Sequence, residues 1–195
     1  MLAAPSHGFC FLASPKAAST AIQRAFAEHA QLLTPGPPSL KHLSAADFEA
    51  DIAPLLAKHG FARSSYVTTA LVREPVDLTL SWYRYRTRRN LQGSARYTGD
   101  VTFDEYAERV VAGEGGFRPP REFLCDGDGT LLVERPYKYE HAEDLIAWMA
   151  ERVGAPVEVG RANVSPQRDV EVAPSTRRLL EGFFARDLEI YAAAR

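Results

Sequence analysis

Two short stretches carry residue types that could grip an anion. In Ser14-Pro15-Lys16-Ala17-Ala18-Ser19-Thr20, a lysine sits ahead of two adjacent hydroxyls. In Val72-Arg73-Glu74-Pro75 and onward to Ser81, an arginine is followed at a fixed interval by a serine. A lysine gives a point charge, an arginine a planar fork of donors, and a serine hydroxyl a further bond. Together they suit an oxyanion such as a phosphate. A third candidate is His42, because imidazole is the side chain best matched to proton transfer near neutral pH.

These groups act together only if the chain brings them together. Phe9-Cys10-Phe11-Leu12-Ala13 is a short apolar run that reads as a buried strand, and Ile22, Ala25, Phe26 and Ala30 recur at helical spacing. The order strand, loop, helix aims the helix's first N–H groups into the loop, where they and the dipole favour an anion. The loop is not a Walker A sequence, since it has no glycine and places its lysine early. Without further support it is an ordinary turn with a solvated Lys16. The second stretch repeats the plan. Tyr66 to Val72 is rich in β-branched residues, Arg73 stands at its end, and Pro75 opens a helix with Val76, Leu80 and Tyr83 on its apolar face.

At these motifs the chain resembles the sulfotransferases that use 3′-phosphoadenosine 5′-phosphosulfate (PAPS). SPKAAST is similar to their 5′-phosphosulfate loop, which commonly reads PKTGST in carbohydrate-type and bacterial members; Ala17-Ala18 replaces the usual threonine-glycine. VREPVDLTLSWY is similar to their 3′-phosphate motif, and YEHAEDLIAWM and ARDLEIYA extend the resemblance over nearly the whole chain. The resemblance implies a P-loop-kinase-like core and sulfuryl transfer to a hydroxyl or amine of a small-molecule or saccharide acceptor, with 3′,5′-adenosine bisphosphate (PAP) as product. It implies that Lys16 meets the bridging oxygen and leaving phosphate. Pro15, Ala17, Ala18, Ser19 and Thr20 would complete the 5′-phosphate loop, and Arg73 and Ser81 would hold the 3′-phosphate. His42 would be the base, and Asn163 and Ser165 would lie near the donor; read from residues alone, that last pair is an Asx-type turn ahead of Pro166. No metal is called for, since the lysine and amides carry the charge.

Composition narrows the alternatives. The 195 residues are most simply one domain, 1–195, with a net charge of −2 that gives no field to recruit nucleic acid or membrane. Two cysteines make no disulfide framework; Cys10, inside the first strand, reads as a small buried hydrophobe. The five histidines lack metal-ligand spacing. The absence of a basic apolar leader and of a membrane-spanning run places the chain in the cytoplasm as an expectation.

Further along, Ser44 and Asp47 form a helix start with Phe48, Ile52, Leu55 and Leu56 as its core face. Arg84, Arg86, Arg88 and Arg89 read mainly as cations on a helix end and a solvated face. Trp82, Tyr83, Tyr85 and Tyr97 could stack on an acceptor or belong to the core. Leu91 to Val101 and Gly113 to Arg121 read as substrate-contacting loops flanking a helix capped by Thr102 and Glu105. Leu131 to Val133, Tyr137 to Tyr139 and Val157 to Val159 read as strands. Glu140 reads as structural. Pro174 to Tyr191 reads as one amphipathic helix, with Leu179, Leu180, Phe183, Phe184, Leu188 and Tyr191 in a stripe. The expected fold is α/β, a central, mostly parallel sheet with helices on both faces. The competing readings are a P-loop nucleotide or small-molecule kinase and a catalytically inactive PAPS- or PAP-binding domain.

Overall fold

Apolar alternation sets the sheet. The computed structural model describes residues 1–160 and 169–195. Strands β1 (Leu2–Ala4) and β2 (Phe9–Leu12) are joined by one 3-10 turn and Gly8, whose φ of 76° lets the chain double back. Helix α1 (Ser19–Ala25) follows, then β3 (Leu32–Leu33), α2 (Pro38–Lys41) and α3 (Ala45–Asp47). A π-helical turn over Phe48–Ile52 leads into α4 (Ala53–Lys58); Pro54, which has no N–H to give, lies just beyond it. The chain continues through β4 (Val67–Val72), α5 (Pro75–Tyr85), α6 (Phe103–Val111), α7 (Pro120–Leu124) and β5 (Arg135–Lys138). It closes with α8 (Ala142–Val153), α9 (Pro174–Phe183) and α10 (Ala185–Ala193).

The five strands lie in the order β3-β1-β2-β4-β5. Both β1 pairings are antiparallel, while β2–β4 and β4–β5 are parallel. The sheet is therefore mixed rather than mostly parallel. The expectation failed at the N-terminus, where Leu2–Ala4 is too short to show a period yet is fully buried and pairs on both edges. Helices cover both faces, as expected. Cys10, Leu12, Ala70 and Val72 face Phe48, Leu56, Phe123 and Ile190. Phe9, Phe11 and Leu71 face Ile22, Phe26, Leu145 and Met149. This strict period of two along β2 lets each strand serve two cores, each buried side chain contributing about 2 kcal/mol. A third cluster, Val76, Tyr83, Phe103, Tyr106, Leu180 and Phe184, joins α5, α6 and α9.

Other expectations are corrected. Leu131 makes only an isolated bridge with Cys125, and the strand lies at Arg135–Lys138. Val157–Val159 forms no strand. The closing helix breaks at Phe184, so Leu180, Phe184 and Ile190 are buried while Leu179 is exposed; Leu55 is exposed as well. The capping boxes at Ser44–Asp47 and Thr102–Glu105 are both formed. Cys10 and Cys125 are buried free thiols. Among the described residues no helix is long and apolar enough to cross a membrane.

Candidate functional site

The three parallel strands β2, β4 and β5 run side by side in one direction, so their C-terminal ends open on one edge. Directly beyond those ends come Ala13, Arg73 and Tyr139. Ligands of open α/β sheets bind at such edges.

Arg73 is the hub. Its Nε donates to Asp77 at 2.5 Å, and its Nη1 donates to the Lys16 carbonyl at 2.9 Å and to Ser81 Oγ at 3.1 Å. The guanidinium also lies 4.6 Å from the centre of the Tyr139 ring. The two sequence motifs therefore meet through one side chain. With Nε and Nη1 engaged, Nη2 carries the two N–H donors that remain, held in a fixed plane. Ser81 is buried, on the second turn of α5, and Glu74 caps that helix through Asp77 N.

The loop after β2 is built differently. Lys16 and Ala18 adopt left-handed backbone, with φ of 60° and 51°. Side chains disfavour that region by about 1–2 kcal/mol each. The Ala18 carbonyl accepts from Ala21 and Ile22, while Ser19 and Thr20, the first residues of α1, have no carbonyl a turn earlier to bond. The Lys16 ammonium lies 4.4 Å from the Tyr85 ring centre and 5.8 Å from that of Trp82. Burial, then the nearby Arg88 and Arg73 charges, push its pKa down to about 8.

A cleft of about 190 Å³ lies against this loop, lined by Lys16, Ser19, Thr20, Lys41, His42 and Tyr85, among others. Lys41 Nζ donates to Thr20 Oγ1 at 2.5 Å, and its pKa is lowered by burial and by Arg24. His42 Nδ1 lies 2.6 Å from the Ala13 carbonyl. A carbonyl can only accept, so Nδ1 carries the proton and Nε2 holds a lone pair. Burial lowers the His42 pKa more than that hydrogen bond raises it, so the ring is neutral at pH 7.

The structure thus brings together Pro15, Lys16, Ala17, Ala18, Ser19, Thr20, Arg73, Ser81 and His42. Asn163 and Ser165 lie outside the described residues. Sequence reasoning missed Lys41, which looks like any surface lysine until α2 folds it over Thr20, and Tyr139, whose role appears only once β5 lies beside β4. Among the arginines, Arg86 departs from the solvated reading. It is buried and stacks on Trp82 and Tyr106. Tyr83 is core, whereas Trp82 and Tyr85 flank Lys16. Glu140 accepts from the Tyr191 hydroxyl, a structural tie to α10. Among the described residues no group of His, Cys, Asp or Glu could hold a metal ion.

The chain matches no protein-family model, no curated protein and no solved structure.

Proposed function

We propose that this protein is a PAPS-dependent sulfotransferase with a P-loop-kinase-like core. The carrying observation is that Arg73 bonds Ser81 and the Lys16 backbone at once, so the two anion-gripping motifs share one edge of the sheet. A triphosphate would leave the Arg73–Ser81 pair unused. A bisphosphorylated nucleotide uses both limbs. A second cleft adjoins the loop at Ala18 and is lined further by Ala21, Ile22, Tyr139, Glu140, Glu143 and Ile146, among others; it is the place this reading gives to the base.

The donor would supply an activated sulfuryl group. Lys16, with the amides and hydroxyls of Ser19 and Thr20, holds the 5′-phosphate, and Arg73 and Ser81 hold the 3′-phosphate. As the acceptor oxygen bonds to sulfur, the bond from sulfur to the bridging oxygen breaks and its electron pair stays on that oxygen. The Lys16 ammonium stabilises this charge, the kind of contact whose loss costs roughly 3–4 kcal/mol of barrier. His42 Nε2 takes the acceptor proton. Lys41 adds a second positive charge beside Thr20.

Calorimetric titration with PAP in the absence of magnesium tests this reading. Tight binding to wild type is expected. No PAP binding, with ATP–magnesium bound instead, would replace the sulfotransferase with a kinase; PAP binding without turnover on any acceptor would leave an inactive binding domain.

A further inference from the structure

A small recess adjoins the cleft on the far side of Pro15 and Trp82, which line both. Its walls are largely apolar and come from β4 (Leu71), α5 (Leu78) and the segment entering and forming α7 (Pro119, Phe123, Leu124). Its volume is about 30 Å³. At roughly 10–15 Å³ for a single water position, that is room for a short alkyl group. Ser14 is among its lining residues. Its side chain is buried, with only 8 % of the residue exposed, and its Oγ has no hydrogen-bond partner among the described residues. An orphaned buried hydroxyl is costly to keep, and a ligand's polar atom would satisfy it. Of the charged lining residues, Arg73 pairs with Asp77 through Nε and keeps its Nη2 donors, and Arg118 lies beside Glu122.

We propose that this recess is the acceptor-recognition subsite, and that it takes the compact apolar end of a small aliphatic alcohol whose hydroxyl bonds Ser14 Oγ. The assignment as an acceptor subsite rests on the sulfotransferase reading. It separates this chain from a saccharide-specific enzyme, because a sugar would bring several hydroxyls to walls that are largely apolar. Gly113 to Arg121 thereby gains its substrate contact through Pro119, while the other glycine-bearing loop is tied to α5 by Thr98 Oγ1, which donates to the Tyr83 carbonyl.

The test titrates ethanol, propanol, butanol and pentanol, with glucose for contrast, into leucine-methyl-labelled protein with and without saturating PAP. Calorimetry on the same samples reads PAP binding. Shifts are expected at the Leu78 and Leu124 methyls, with affinity rising about fourfold per methylene until the recess is full and then levelling. Ser14→Ala is expected to weaken alcohol binding at least fivefold, and Leu78→Phe to abolish it, both with PAP binding retained. Alcohol shifts that are absent, that fall elsewhere, or that persist unchanged in both variants while PAP still binds overturn the recess alone. Alcohols bound at the recess by protein that does not bind PAP overturn its acceptor role together with the sulfotransferase reading.

Discussion

The loop after β2 and the loop after β4 meet at the same edge but are made in opposite ways. The first holds two non-glycine residues in left-handed backbone and presents an ammonium whose pKa is pushed down to about 8. The second ends a regular strand, begins a capped helix, and presents a guanidinium fixed by Asp77, Ser81 and the Lys16 carbonyl. One limb is strained and titratable; the other is relaxed and permanently charged. The difference fits a division of labour in which Arg73 anchors the ligand and Lys16 responds to charge developing during reaction.

Removing the responsive charge should produce the largest effect. Lys16→Met is expected to lower PAPS turnover about 10³-fold while weakening PAP only about tenfold, read from PAP release and calorimetry. Loss of the anchor comes next. Arg73→Ala is expected to weaken PAP at least tenfold, the ~1.5–3 kcal/mol of a charged hydrogen bond.

A pH series separates the limbs. In the free protein Lys16 titrates near 8, below its ordinary 10.5, and a bound anion raises that pKa again. Binding therefore takes up a proton, so affinity is full below about pH 8 and falls above it. PAP should bind about tenfold more weakly at pH 9 than at pH 7, and this slope should be much reduced in Lys16→Met. The free protein should show the opposite trend. Its unfolded chain holds the Lys16 proton up to the ordinary value, so this lysine's contribution to stability rises between about 8 and 10.5.

The smallest expected effect tests the strain. Ala18→Gly removes the side-chain penalty at a φ of 51° and restores the residue common in the loops this sequence resembles. Thermal unfolding should show a gain of about 1 kcal/mol, with PAP affinity nearly unchanged. A loss of stability would show that the left-handed loop stores no strain.

The local setting of the candidate site was more legible than the sheet. Strand, loop and helix are visible around Lys16, and so are the strand end at Arg73 and the helical placement of Ser81, because each rests on local apolar periodicity. What periodicity cannot carry is a strand of three residues, and Leu2–Ala4 alone turned a parallel sheet into a mixed one. Nor can it show side chains arriving from elsewhere. Lys41 on Thr20, Tyr139 beneath Arg73, and the unpartnered Ser14 hydroxyl exist only after folding. Arg86 is the same lesson in reverse. A cation at a helix end reads as solvated, yet α6 packs Tyr106 over it.

The central claim is that Arg73 and Ser81 recognise a 3′-phosphate, and the most direct measurement is the ratio of affinities for PAP and for adenosine 5′-monophosphate, in wild type and in Arg73→Ala. The account expects wild type to favour PAP by roughly two orders of magnitude, about 2.7 kcal/mol, and Arg73→Ala to lose most of that preference while binding the monophosphate almost as before. Equal affinity for the two nucleotides in wild type, or a preference that survives in Arg73→Ala, would contradict it.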